Sequence, residues 1–376
     1  MDSVTSYAKK VVAGKIIAGD SVKKACKRHL KDLKKSKRKD YPYYFDAEQA
    51  EYCFAFAENY CRHSKGKWAG KPLILEDWQR FVVGSIFGWK RKDDDTRRFR
   101  YFYIQVARKN GKSTLMAFIG LYVIVCDGEN GAEIYSAATK KDQARIIFDE
   151  AKNMIGKSPE LRTILTTYRN NITFDAQLSK FEPLSSDSET LDGLNVHLGL
   201  IDELHAHKTG DVYNILDSAT GARTQPLIGT GTTAGRNPNC FCKELYDYYK
   251  NILNETVENE NIFIYIAELD ENDDWTDPQN WIKANPNINV SVNLKDMESI
   301  YEQYGKYLIE TKNPVLKEYL KKEITKKESI AAELKQSIKE MESEELSGKE
   351  RGNIAKRQRR YQEIQKEIRD MRKAIG

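Results

Sequence analysis

A Gly-Lys-Ser-Thr run at positions 111–114, set between a short apolar run and a long apolar segment, admits few folds. Tyr101, Phe102, Tyr103, Ile104 and Val106 are β-formers in a run too short for a helix. Residues 115–125 are apolar over a helical length. Such a run at a strand-to-helix junction is the end of a phosphate-binding loop. Amides at the helix N-terminus point at an anion, Lys112 adds a mobile positive charge, and the Ser113 hydroxyl can ligate Mg²⁺. The standard pattern has a glycine at the position of Val106. A bare Gly-Lys-Ser also occurs as a surface turn capped by its serine, so a second motif has to decide.

The 376 residues suit roughly two domains, and a hydrophobic content of 40% is enough for a core. No run approaches the ~20 apolar residues that cross a bilayer. The N-terminus lacks the apolar centre of a secretory signal, which predicts a protein that is not secreted and has no membrane partner. Cys26, Cys53, Cys61, Cys126, Cys240 and Cys242 form no C-x-x-C pair, and the last two are too close for a zinc knuckle, which predicts reduced thiols. The net charge of +5 is unevenly placed: among the charged positions of residues 23–39 only Asp32 is acidic. Such a run meets a polyanion such as DNA, or is a solvated helix face.

Along the chain, residues 1–40 read as helical and basic, and residues 46–60 as an aromatic-rich helix. Gln79 precedes an apolar segment that ends near Trp89; a carboxamide upstream of a phosphate loop can pair with both edges of adenine. Residues 132–138 read as a strand and 140–155 as a helix with Ala144, Ile147, Phe148 and Ala151 on one face. Residues 172–184 read as strands, followed by a polar loop over 185–192.

The second motif is the strand 196–201 running into Asp202 and Glu203. Acids at the carboxyl end of a parallel strand sit beside the phosphate loop in α/β nucleotide folds. There Asp202 can hold Mg²⁺ and Glu203 can polarise the attacking water. A third strand, 226–231, runs into Thr232 and Thr233, a turn able to sense a γ-phosphate. Alternating strands and helices predict an α/β protein of the P-loop NTPase kind, RecA-like, with a mostly parallel sheet and helices on both faces. His205 and His207 follow closely, and with Asp202 a metal site can be drawn there; a polar surface is the simpler reading.

These residues together resemble the large subunit of tailed-phage terminases, the viral DNA-packaging motor. The resemblance rests on LEDWQRFVVGSIFGW, QVARKNGKST, LGLIDELHA and GTGTTAGRNP, in that order along the chain, over roughly residues 70–315. In that family the phosphate loop lacks its first glycine and carries an arginine, so Val106 fits. The resemblance implies ATP and Mg²⁺ as the ligands. It implies Gln79 as the adenine contact, and Arg108, Lys109, Asn110, Gly111, Lys112, Ser113 and Thr114 as the loop around the phosphates. It further implies Ser113 and Asp202 on the metal, Glu203, Lys112 and Arg108 in catalysis, and Thr232 and Thr233 as the coupling motif. Arg223 and Arg236 are candidates for an arginine acting on a neighbouring subunit's ATP. Residues 274–287 resemble the family's lid region.

The implied partners are double-stranded DNA, a small terminase subunit, a portal protein and further copies of the chain in a ring, in the cytoplasm of a bacterial host. Expected parts are a basic helical region at 1–69, an ATPase core at 70–260, a lid and linker at 261–314, and a charged helical hairpin or coiled coil at 315–376. In that last part Ala331, Leu334, Ile338 and Met341 form one apolar stripe and Ile354, Tyr361, Ile364, Ile368, Met371 and Ile375 another, with Gly348 and Gly352 expected to break the two. The family's usual nuclease domain is expected to be missing, because nothing after Asn313 reads as strands ending in acids. Two alternatives stand beside the motor: a helicase or other DNA-remodelling ATPase, and an assembly adaptor that binds ATP without turnover.

Overall fold

The computed structural model describes residues 2–138, 141–185, 193–207, 209–235, 239–299, 314–342 and 348–375. They fall into two compact units, Met1–Val292 and Asn293–Gly376.

The first unit is built on one sheet. Its strands are β3 (Tyr101–Gln105), β4 (Glu133–Ala138), β5 (Thr166–Thr167), β6 (Ile172–Phe174), β7 (Ser179–Ser185), β8 (Val196–Asp202), β9 (Leu227–Thr232) and β10 (Ile262–Ile266); a separate antiparallel pair, β1 (Tyr43–Phe45) and β2 (Trp89–Arg91), precedes them. The spatial order is β10-β3-β9-β8-β4-β7-β6-β5. All pairings from β10 to β7 are parallel, and β6 and β5 close the edge as antiparallel additions. Every residue of β8, β9 and β10 is buried. That is what a parallel sheet covered on both faces demands, and it explains why β10 reads as a continuous apolar run without alternation.

The helices are α1 (Ser3–Val12), α2 (Asp20–Lys35), α3 (Ala47–Tyr60), α4 (Asp77–Gly88), α5 (Lys112–Cys126), α6 (Lys141–Lys157), α7 (Leu161–Ile164), α8 (Asp211–Ser218), α9 (Phe241–Leu253) and α10 (Pro278–Trp281). α5 is buried along nearly its whole length and carries no charge after Lys112, as a helix enclosed on all sides requires. Loop residues 186–192 of the expected polar loop lie outside the described residues.

The N-terminal residues expected as a separate basic region belong to the same unit. Val4, Tyr7, Val11, Val22 and Cys26 share one core with the sheet, and the Tyr7 hydroxyl lies 3.2 Å from that of Tyr265 in β10. The basic face of α2 is largely answered from within. Arg28 donates to the carbonyls of Ile262 (2.9 Å) and Asn259 (2.7 Å), and Lys31 pairs with Glu255 at 2.7 Å. The exposed cations of the run are Lys27, Lys31, Lys34, Lys37, Arg38 and Lys39, and two of them already have acids, Arg38 with Asp40 and Lys31 with Glu255. Similarly β10, expected in a lid, completes the sheet beside β3.

In the second unit residues 294–299 are helical, and two long helices follow, Pro314–Glu342 and Gly348–Ile375. Ile324, Ala331, Ile364 and Ile368 pack between them, flanked by Leu334, Tyr361 and Met371. Lys327 pairs with Glu367 at 2.5 Å, and Arg357 bonds Ser337, so the two run antiparallel as the apolar stripes predict. Gly352 was expected to break the helix and does not: it lies inside the second helix, which Gly348 begins.

Candidate functional site

The site is assembled at the carboxyl ends of β3, β9 and β8. Val106, at the position of the absent glycine, is 1% exposed and its N–H donates to Thr232 O at 3.3 Å, so the residue extends the sheet instead of opening the loop. The turn needs left-handed backbone at two positions, Lys109 (φ +67°) and Gly111 (φ +79°), and Gly111 then caps α5. A left-handed lysine is a strained conformation held by its surroundings. The side chains of Arg108 and Lys109 are exposed.

Lys112 reaches across β9 to the end of β8. Its ammonium hydrogen-bonds both Asp202 and, at 2.8 Å, Glu203. Lys112 is 7% and Asp202 2% exposed, whereas Glu203 is half-buried, so this is a charge cluster of two carboxylates and one ammonium with its buried pair inward. Asp202 Oδ1 also accepts the N–H of Glu203 at 2.9 Å, and Glu203 sits at φ +49°. The second carboxylate oxygen of Glu203 is buried and accepts no aligned hydrogen bond, although His205 Nδ1 is 3.1 Å away. A serine hydroxyl at a helix start, an excess of carboxylate over ammonium and an unused carboxylate oxygen are a donor set that suits Mg²⁺ shared with phosphates. Metal clusters of three or more His, Cys, Asp and Glu do not occur among the described residues. His205 and His207 do not converge with Asp202 into one: His207 Nε2 lies 3.3 Å from the Asp202 carbonyl, and the His205 ring faces Thr232 and Thr233. Burial lowers the His207 pKa below the usual imidazole value, partly offset by that carbonyl.

Other expected site residues are placed as follows. Gln79 is buried beside the loop: a Cβ built on Gly111 would stand 3.4 Å from its Nε2. Its Oε1 accepts the Glu76 N–H at 2.9 Å in a capping box that starts α4, which leaves the amide nitrogen facing the loop. The Thr114 hydroxyl lies 3.4 Å from Glu150 Oε1 on α6, turned away from Lys112's acids. Asn110 is fully buried, with its amide nitrogen donating to Ala107 O (3.0 Å) and Asn285 Oδ1 (2.9 Å). Thr232 is fully buried, and its hydroxyl accepts the N–H of His205 at 3.2 Å.

Arg223 is not free to act on another subunit. Its guanidinium binds the carbonyls of Asn195 and Gly131 and the Glu129 carboxylate, at the amino ends of β8 and β4, the opposite end of the sheet from Lys112. Arg236 lies outside the described residues. Sequence reasoning missed Asn285 and Asn287, which brace the loop from 175 and 177 residues beyond Asn110, and Trp78, which holds Asn287. The only trace was an Asn-Pro-Asn turn with no periodicity to read.

A parallel sheet that feeds a glycine-ended loop into a buried helix, with the loop lysine on paired acids of a nearby strand, is a P-loop ATPase fold. Comparison with known proteins narrows it. Residues 77–251 match the family model "Terminase large subunit, ATPase domain", and residues 256–348 match "Terminase large subunit, endonuclease domain". The large terminase subunit of Enterobacteria phage HK97 is 25% identical over 264 residues, covering 69% of this chain and 50% of that protein. Protein YmfN of Escherichia coli (strain K12) is 45% identical over 101 residues, 27% of this chain and 22% of that protein. The crystal structure of the HK97 large terminase superposes with a TM-score of 0.60 at 23% identity, covering 69% of this chain and 52% of that one. The chain therefore spans about half or less of the length of these relatives.

The endonuclease match overturns the expectation that the nuclease part is missing. It begins at residue 256, well before Asn313, and so takes in a strand upstream of the helical hairpin. β10 lies within it, and acids do follow that strand: Glu268 binds Ser21 and Lys250, and Asp270 binds the Asp20 N–H and Lys283.

Proposed function

We propose that this chain is the ATP-hydrolysing motor of viral DNA packaging, acting on double-stranded DNA. The observation that carries the reading is the single ammonium of Lys112 bridging Asp202 and Glu203. It brings the helix start that would hold the phosphates and the acids that would hold metal and water to one point. Mg²⁺, held by Ser113 and Asp202, would neutralise charge on the phosphates. Lys112 then leaves the acids for the phosphates, and Glu203, no longer paired, accepts the proton of the attacking water. Gly111 and the amides of the loop bind the phosphates, Arg108 and Lys109 add charge from the exposed side of the turn, and the Gln79 amide orients the adenine. Thr232 and Thr233 sense the phosphate.

Further copies in a ring, a small terminase subunit and a portal protein are the proposed partners, in the host cytoplasm. Among the described residues no helix is long and apolar enough to cross a membrane.

The test is ATP turnover by the full chain with and without double-stranded DNA. Wild-type turnover rises with DNA. Lys112→Ala abolishes it, and Glu203→Gln abolishes it while a non-hydrolysable ATP analogue still binds. Turnover that survives both substitutions removes the site from the chemistry, and binding without turnover at any DNA concentration favours an adaptor.

A further inference from the structure

The contacts around His205 go beyond those assignments. Thr232 Oγ1 donates its one hydrogen to Thr233 O at 2.9 Å and accepts the backbone N–H of His205 at 3.2 Å. It has no hydrogen left for His205 Nδ1, 3.1 Å away, and the Thr233 hydroxyl is more distant at 3.4 Å. A bare Nδ1 would set its lone pair against Glu203 Oε2 at 3.1 Å, so the proton is assigned to Nδ1. That same N–H stands 3.1 Å from Glu203 Oε2, the oxygen with no aligned donor. Nδ1 therefore stands at equal distance from two acceptors, hydrogen-bonded to the threonine and not yet aligned with the acid. A glycine makes room for the ring's owner: a Cβ on Gly235 would stand 3.0 Å from His205 Cβ.

We propose that His205 is a positioning residue for hydrolysis, its Nδ1–H passing from Thr232 to Glu203 when Lys112 leaves the acids. This rests on the ATPase reading above. Glu203 has two partners for its carboxylate, Lys112 on Oε1 and His205 beside Oε2. Once the lysine turns to the phosphates, the imidazole N–H holds the carboxylate in one orientation toward the water. Because the His205 main chain stays bonded to Thr232, a shift of the β9 end moves the acid with it. Orientation of a reacting group by such an outer hydrogen bond changes rate more than substrate affinity.

The test compares steady-state ATP turnover of the wild type, His205→Ala, His205→Asn and His205→Gln. Removal of the ring lowers kcat about 10- to 100-fold with KM for ATP little changed. Asparagine, whose amide N–H falls near Nδ1, restores most of the loss, whereas glutamine, whose amide reaches too far, does not. An alanine variant with wild-type kcat, in a chain that Lys112→Ala inactivates, overturns the role of His205 and leaves the ATPase reading standing. A wild type without turnover sinks the ATPase reading and this role with it. A measurement independent of turnover is the ¹⁵N spectrum of the His205 ring in the wild-type chain: a proton on Nδ1 is expected, and a bare Nδ1 overturns the proposal.

Discussion

Asn110 and Asn287 clasp each other: Asn110 Oδ1 accepts the Asn287 N–H at 2.9 Å, and Asn287 Nδ2 donates to the Asn110 carbonyl at 3.0 Å. The clasp continues to α4, where Trp78 Nε1 donates to Asn287 Oδ1 at 2.5 Å. The phosphate loop is thus held in a strained shape by a clasp that reaches from Asn110 through Asn287 to α4. Asn287→Ala strands the buried polar atoms of Asn110 and Trp78, at a cost of about 1–3 kcal/mol each. The expected outcome is a lower thermal midpoint together with weaker binding of an ATP analogue, read by calorimetric unfolding and by titration.

Two glycines separate backbone strain from site geometry. Gly111 (φ +79°) and Gly128 (φ +78°) both use left-handed backbone, so alanine at either costs about 1 kcal/mol. A Cβ on Gly128 meets nothing within 4 Å, whereas one on Gly111 crowds Gln79 at 3.4 Å and Asn287 at 3.6 Å. Gly111→Ala is expected to lose nucleotide binding and Gly128→Ala to keep it, with similar losses in stability.

Gly229 and Gly156 should respond to alanine with opposite sign. Gly229 in β9 faces Phe102 in register, and its Cβ would fall 1.9 Å from the Phe102 ring, an overlap that costs about 3 kcal/mol or more. Gly156, inside α6, has open space around it, so Gly156→Ala gains about 0.5–1 kcal/mol of helix stability. Urea unfolding of the two variants beside the wild type checks both.

His29 makes the fold sensitive to acid. Its ring is 4% exposed, accepts the Trp89 indole N–H on Nδ1 at 3.1 Å, and lies 3.2 Å from Thr5 Oγ1. Burial lowers its pKa to about 4, and the nearby Asp2 and Asp32 do not offset this. The unfolded ring, near 6.5, takes up a proton first, so stability is full above about pH 6.5 and falls as pH drops toward 4. The loss reaches about 3 kcal/mol. His29→Gln should remove that part of the slope of unfolding free energy between pH 7 and 4.5; an unchanged slope would show that other groups carry it.

The site was partly legible. The loop, its helix and the two acids could be read because each is a local pattern: an apolar strand that stops, a glycine at the turn, a helix that begins. Arg223 was misread because its partners Gly131 and Asn195 are distant in sequence, so a braced arginine looks the same as a free one. The partners of the basic run on α2 were hidden for the same reason, since Glu255 and Glu260 pair with Lys31 and Arg28 from more than two hundred residues away. The second helix of the hairpin tolerates Gly352, a weak local preference outvoted by the apolar stripe around it.

Apolar runs, turn residues and capping patterns settled by themselves that this chain makes a covered parallel sheet with a phosphate loop, because neighbouring residues alone impose those conformations. Tertiary structure decided that Lys112 stands between Asp202 and Glu203, that the Asn110 side chain bonds Asn285 and Asn287, and that His205 stands between an acid and a threonine. Those pairings depend on strand order in the sheet, and strand order is a property of distant segments that no local window contains.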